Sequence, residues 1–399
     1  MNKKIMILGA SILQLPAIQR ARKMGLYVVA VDMNPDAIGF GEAGIIKEVI
    51  STIDVPAVLE CAKKHKIDGI MTLASDMPMR TVATVANELN LIGISEDTAL
   101  KATNKAVMRQ ALLDGNVPVP KFYKVSNKEE YKKAVINFSS PFVVKPADNS
   151  GSRGIYLVDD IDDVRSIDMA YSYSRQYSRN GDVVVEEYMV GPEVSVETLT
   201  VDGVCHIIQI TDKITTGAPY FVEMGHTQPS QLSEETKKKI AKITKDANRA
   251  IGIDNGPSHT EIIVTKDGPK IVELGARLGG DCITTHLVPL STGIDMVESC
   301  IKIALGEKPD IRAKIDKVSA VRYFSQSDGA IKKISGVKEA QQLCGVKQIS
   351  IVQKVGETIN GIKNSSDRIG FVVMQSDSHQ NIDELHNKVL EKITIEMEG

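Results

Sequence analysis

Two glutamates and an arginine carry the strongest chemical signal in the chain. Glu261 stands in His259-Thr260-Glu261-Ile262-Ile263-Val264, and Glu273 follows Ile271-Val272 in a segment that runs on through Gly275 to Arg277-Leu278-Gly279-Gly280-Asp281. Both acids border apolar runs of strand composition, with the turn signal Lys266-Asp267-Gly268-Pro269 between them. That pattern predicts a hairpin whose two carboxylates share a face, within reach of one metal ion. Hard oxygen donors of this kind suit Mg²⁺, which keeps several waters and binds through one or two carboxylates plus nucleotide phosphates. Mn²⁺ accepts the same ligands. Arg277, four residues past Glu273, would add a fixed positive charge where phosphoryl charge builds up. For an isolated acidic pair a solvated surface hairpin is the better reading, so the weight falls on what lies upstream.

Upstream, Pro141-Phe142-Val143-Val144-Lys145-Pro146 reads as a buried strand ending in lysine. The loop Ala147-Asp148-Asn149-Ser150-Gly151-Ser152-Arg153-Gly154 follows, then a strand from Ile155 to Val158. Small residues and two glycines let backbone N–H groups turn toward a phosphate and let the loop move as a lid. The strand Val183 to Val185 delivers Glu186-Glu187-Tyr188-Met189, and Gly191-Pro192-Glu193 precedes another strand pattern.

These groups need elements to hold them. Residues 3 to about 95 alternate short apolar runs with helical patterns, which means a parallel sheet with helices on both faces. The turn Gly9-Ala10-Ser11, with Asp32 closing the next strand, is an incomplete dinucleotide fingerprint, because the later glycines are absent. Glu234 to Ile251 places Ile240, Ile243, Ala247 and Ile251 at helical spacing, with Lys237 to Lys239 on the solvated face. From Ala320 onward, short strands and a final amphipathic helix suggest a smaller α+β unit.

At 399 residues, 42% hydrophobic and 25% charged, the chain reads as a soluble globular protein of two or three domains. A net charge of −3 argues against a general nucleic-acid or membrane-surface binder. Five cysteines, an odd number without a CxxC pair, predict neither a disulfide framework nor a zinc site, and a reducing cytoplasm is the expected setting. The apolar start Ile5-Met6-Ile7-Leu8 is broken by Gly9 and Pro16 and reads as a buried first strand rather than a leader.

Taken in order, Lys105, Val143-Val144-Lys145-Pro146, the serine/glycine loop, Val185-Glu186-Glu187-Tyr188-Met189, Gly191-Pro192-Glu193, Glu261 and Glu273-x-x-x-Arg277 resemble the ATP-grasp superfamily, most of all its carboxylate–amine ligases of the L-amino-acid ligase type. The resemblance implies an α/β and α+β fold in three parts. These are a Rossmann-like pre-ATP-grasp domain over 1–95, an ATP-grasp domain over 96–319 with a lid at about 120–190, and a C-terminal α+β domain over 320–399. It implies ATP and Mg²⁺ as cofactors. Lys105 and Lys145 match the lysines on nucleotide phosphates, with Ser150, Gly151 and Ser152 in the lid loop. Glu186, Glu187 and Met189 match the hinge where backbone groups and one carboxylate read the adenine edge, and Glu193 matches the ribose acid. Glu261 and Glu273 match the metal ligands, with Gly275 replacing a usual asparagine. Arg277 and Gly280 match the groups that meet an acyl phosphate. No Ser or Cys nucleophile is required, in keeping with the lack of any such signature.

Substrate choice is harder to read. Thr215 to His226 is expected as a substrate-side loop, with Glu223 suited to an ammonium and His226 beside it; His259, Asp281 and Asp76 are further candidates, Asp76 because it follows a parallel strand. The implied reaction joins a carboxylate to an amine with release of ADP and phosphate, the partners being small molecules and a homodimer allowed. A purine-pathway ligase, a nicotinamide-dependent oxidoreductase and a non-catalytic nucleotide binder are the alternatives.

Overall fold

The computed structural model describes residues 2–149, 151 and 153–398. Its first sheet is parallel, with strands in the order Ile46–Val49, Tyr27–Asp32, Lys4–Leu8 and Gly69–Met71. The inner strands are apolar on both faces, as expected where helices cover a sheet twice. The turn after the first strand is already filled. Asp32 accepts from the Ala10 N–H (2.8 Å), and the Gln14 side chain packs over Gly9 and donates to the Leu73 carbonyl (2.6 Å). The place where a dinucleotide phosphate would approach is therefore closed by the chain itself.

The largest sheet has eight antiparallel strands in the order Gly268–Gly275, Gly256–Thr265, Glu193–Val201, Val204–Thr215, Glu223–Gln228, Val318–Phe324, Gly370–Ser376 and Val346–Ile351. Its last three strands come from the C-terminal eighty or so residues, so that region extends the sheet instead of standing apart from it. A three-stranded sheet (Thr358–Ile359, Gly329–Ser335, Thr394–Glu398) and the helix His379–Lys392 complete the C-terminal part. Side chains of the parallel sheet and of the large sheet share one core, Met6 and Val29 with Ile262 and Leu274 among them. Burying each such side chain contributes roughly 1.5–3 kcal/mol, which holds the two sheets in a fixed relation.

A separate four-stranded antiparallel sheet, ordered Phe122–Val125, Val183–Glu187, Phe142–Pro146 and Tyr156–Val158, has its own core of Phe142, Val144, Val183, Val185 and the stacked Tyr131–Tyr171 pair. Helix ends follow local chemistry. Ser233 caps Glu234–Ile251 by accepting from the Thr236 N–H, and Gly252 at φ +92 ends it in the left-handed region that favours glycine. Its buried stripe is Ile240, Ile243, Ala247 and Ile251, while Lys237 and Lys239 pair with Glu234 and Glu235 on the outside. Among the described residues no helix is long and apolar enough to cross a membrane.

Candidate active site

The hairpin anticipated for the two glutamates is present: Gly256–Thr265 pairs with Gly268–Gly275, and Glu261 lies directly opposite Glu273. A bulge follows Glu261, between it and Ile262. Glu273 accepts from Lys105 Nζ at 2.7 Å, and Lys105 also donates to the Asn149 carbonyl (2.6 Å), linking the hairpin to the lid loop. Glu261 lies 3.3 Å from Lys213 Nζ. Burial opposes its charge, yet Lys213 and His259 hold its carboxyl well below the usual range. Two opposed carboxylates, each balanced by a lysine and both facing one cavity, are the donor set a hard divalent cation prefers. The residues present fit that group.

The cavity measures about 450 Å³ and draws together residues from most of the regions that the sequence singled out. Asp76, Lys105, Lys145, Gly151, Glu223, His226, His259, Glu261, Glu273, Arg277, Gly280 and Asp281 all line it. Glu186, Glu187, Met189 and Glu193 are not in its wall. Ser150 and Ser152 lie outside the described residues.

Arg277 is fixed before any ligand arrives. Its Nε donates to Asp76 Oδ1 at 2.8 Å and its Nη2 to Oδ2 at 3.3 Å. Asp76 does not cap the following helix Pro78–Glu88, which has no side-chain cap. The absence of a side chain at position 275 is part of this arrangement: a Cβ there would stand 3.1 Å from Asp76 Oδ1 and 3.2 Å from Arg277 Nε. Gly275 thus leaves room for the ion pair at the position where the resemblance implied an asparagine. Burial disfavours both charges, but each partner holds the other ionised.

His259, directly opposite Gly275, donates through Nδ1 to Glu197 Oε1 (2.6 Å), and its Nε2 lies 3.4 Å from Glu261. Burial works against the imidazolium, but the Glu197 and Glu261 carboxylates raise it to about 9. Gly279 packs against this pair so closely that a Cβ would sit 2.7 Å from His259 Nδ1.

Glu186 differs from the expectation of an adenine-reading carboxylate. It is buried at 1% exposure and accepts from Arg109 Nε (2.6 Å), with Lys145 Nζ 2.7 Å from its other oxygen. The reason is its place in an inner strand of the four-stranded antiparallel sheet, where a carboxylate must be paired. Burial raises its pKa, and the two cations overcome this and bring it down to about 2. Its effect on the cavity is to hold Lys145. Glu187, at the end of that strand, is half-buried and faces Lys270 (3.1 Å). Glu193 reaches the site only through Lys213, 2.5 Å away.

Thr215 to His226 is not a loop throughout. Glu223–Gln228 is a strand antiparallel to Val204–Thr215, and it carries Glu223 and His226 into the wall. Among the described residues neither buried ring nitrogen of His226 has a hydrogen-bond partner within bonding distance, and Nε2 lies 3.7 Å from an Asp281 carboxylate oxygen. Asp281 and Cys282 both have positive φ, 47 and 64, a conformation that costs a non-glycine residue about 1–3 kcal/mol. Arg368 holds it: Nη1 and Nη2 donate to Asp281 at 2.9 and 3.0 Å, Nη1 also meets the Glu223 carbonyl, and the guanidinium lies 3.7 Å over the Tyr323 ring.

Sequence reasoning passed over Lys213, Glu197, Arg109 and Arg368. Arg109 had a signal, since it falls one turn after Lys105 on the same helix face. Lys213 and Glu197 are single charges in strands, visible only once the neighbouring strands are known.

Residues 138–285 match an ATP-grasp domain, and residues 322–398 match the L-amino acid ligase C-terminal domain 2. The chain is 25% identical to the L-arginine-specific L-amino acid ligase of Bacillus subtilis, over 79% of this chain and 76% of that protein. It is 27% identical to the phosphoribosylamine–glycine ligase of Thermococcus kodakarensis, over 80% of this chain and 76% of that one. The crystal structure of L-amino acid ligase from Bacillus licheniformis superposes with a TM-score of 0.85 at 26% identity, covering 100% of this chain and 99% of its own.

Proposed function

We propose that this chain, built of an ATP-grasp domain and an L-amino acid ligase C-terminal domain, is an ATP-dependent ligase that joins the carboxylate of an amino acid or similar small molecule to an amine, releasing ADP and phosphate. The observation that carries the reading is a single cavity in which two lysines, two opposed glutamates and a preset arginine converge from separate parts of the fold. A carboxylate is a poor acyl donor because oxide would have to leave. Phosphorylation by ATP makes an acyl phosphate, from which phosphate leaves as the amine attacks, and the protein supplies position, charge and exclusion of water.

Lys105 and Lys145 face the nucleotide phosphates in this reading, with Gly151 and its flanking serines in the lid over them. Glu187 and the backbone through Met189 serve the adenine edge, because Glu186 is committed to Arg109 and Lys145, and Glu193 takes the ribose. Glu261 and Glu273 would hold Mg²⁺, which neutralises phosphate charge when bound. Arg277, oriented by Asp76, and the Gly280 N–H serve the acyl phosphate. Glu223 suits the substrate ammonium, and the unpartnered His226 nitrogens suit a substrate oxygen beside Asp281. The division 1–95, 96–319 and 320–399, a cytoplasmic location and a homodimer belong to the same proposal.

A phosphorylated ribose amine is disfavoured as substrate because two carboxylates, Glu223 and Asp281, line the cavity while the nearby Arg368 guanidinium is already bound to Asp281. The test is a screen of amino-acid and amine pairs for ADP and phosphate release, with mass spectrometry of the product and Glu273→Gln as the inactive control. ADP release that forms no carbon–nitrogen product, or turnover only with phosphoribosylamine, would overturn the reading.

A further inference from the structure

A second cluster of ligating side chains lies well outside this cavity, at the edge of the parallel sheet. The helix Val55–His65 carries Cys61 and His65 four residues apart, and so on one face. Beside that face runs the edge strand Ile46–Val49, which bears Glu48. One ligand atom from each of Glu48, Cys61 and His65 lies within 4.8 Å of the other two. His65 Nε2 is 2.5 Å from Glu48 Oε1, so imidazole and carboxylate already face each other.

We propose that Glu48, Cys61 and His65 form a binding site for a thiophilic divalent transition metal, of the zinc class. Zinc bonds of 2.0–2.3 Å in a tetrahedron set ligand atoms roughly 3.5 Å apart. Side-chain rotation of about 1 Å reaches that spacing, opening the imidazole–carboxylate contact and drawing in the thiol. On binding, the Cys61 thiol loses its proton to solvent and the sulfur forms the metal bond. Thiolate and carboxylate then balance the two positive charges, imidazole is neutral, and water takes the fourth position. A soft sulfur and an imidazole select this class over Mg²⁺, so the cluster is chemically distinct from the Glu261–Glu273 pair. Without a metal, burial and the nearby Glu48 charge push the thiol up to about 11, which leaves it inert as a nucleophile. Lys64, 2.9 Å from the same Glu48 oxygen, is 67% exposed and can turn into water.

The site has a structural use. Ile46–Val49 pairs with one strand only, and three of its four residues are exposed. A metal held between Glu48 and the last turn of the helix would staple this edge to the layer above it.

Cobalt(II) is the probe, added to the chelator-stripped full chain and followed by absorption, with zinc as competitor. The expected result is a sulfur-to-cobalt charge-transfer band that saturates at one equivalent and is discharged by zinc. Cys61→Ala and Cys61→Ser should both abolish it. Glu48→Gln and His65→Gln should weaken binding by roughly tenfold or more, and the Glu261→Gln/Glu273→Gln double variant should keep it. Circular dichroism of each variant reports whether it is folded. Absence of the band in the folded wild-type chain overturns the proposal, as does a band that survives both Cys61 substitutions and so comes from another thiol.

Discussion

A carboxylate at 1% exposure is tenable only while its partners stay in place, and Glu186 has two, Arg109 and Lys145. Glu186→Gln leaves Arg109 buried without a counter-charge, and breaking a buried pair in this way costs about 3–5 kcal/mol. The folded-state pKa lies near 2, below the ordinary 4.5. The contribution is therefore present above about pH 4.5 and is lost as pH falls toward about 2. Denaturant titrations of wild type and Glu186→Gln across that window should converge as it is crossed; a constant gap would show that the charge is not what stabilises the strand. Arg277 poses the complementary question of orientation. Asp76→Asn keeps the shape but weakens the fork that aims the guanidinium. We expect kcat to fall by about 10²-fold with ATP affinity unchanged, measured by steady-state kinetics beside calorimetry. A raised Kd for ATP at normal kcat would make Arg277 a nucleotide ligand instead. Such pairings join residues 201 positions apart, and nothing in local sequence announces them.

Elements were legible to the extent that they bury apolar surface. The Glu261–Glu273 hairpin could be read because an Asp-Gly turn separates two apolar runs, and the helix Glu234–Ile251 because its apolar stripe recurs at helical spacing. The strand Glu223–Gln228 could not. Glu-Met-Gly-His-Thr-Gln has no apolar alternation, since Glu223 and His226 face the cavity, Gln228 bonds to Thr211 and Ser291 in the interior, and its pairing is dictated by the strands on either side. The lid strands Phe142–Pro146 and Tyr156–Val158 belong to a sheet with its own core, joined to the hairpin through Lys105, which bridges Asn149 and Glu273. Nucleotide binding should tighten that bridge. Amide exchange in these two strands should slow by roughly tenfold or more, about 1.4 kcal/mol of protection, when a non-hydrolysable ATP analogue and Mg²⁺ are added. Equal protection in free and bound protein would contradict a closing lid.

At the scale of the whole molecule, the C-terminal part does more than complete a sheet. Its strands Val318–Phe324 and Gly370–Ser376 extend the sheet that carries Glu223 and His226, and Arg368 reaches from it to Asp281 and the Glu223 carbonyl. His226 and the Arg368 guanidinium together hold the Asp281 carboxyl far below the usual range despite burial, and the guanidinium braces the left-handed turn at Asp281 and Cys282. Arg368→Met would leave Asp281 in the wall of the cavity with His226, 3.7 Å away, as its nearest remaining partner. We expect a loss of stability of about 3–5 kcal/mol, together with a raised KM for the acid or amine substrate and an unchanged Kd for ATP. The second substitution Asp281→Asn, made in the same chain, removes that charge and should recover part of the stability, giving a coupling of about 1–3 kcal/mol in the double-mutant cycle. Additive effects would mean that Arg368 acts through its other contacts, the Glu223 and Ser365 carbonyls and the Tyr323 ring, and not through Asp281. A coupled pair, by contrast, would make the C-terminal part a working wall of the substrate site, so that exchanging it between relatives should alter which substrates are taken while leaving nucleotide binding as it was.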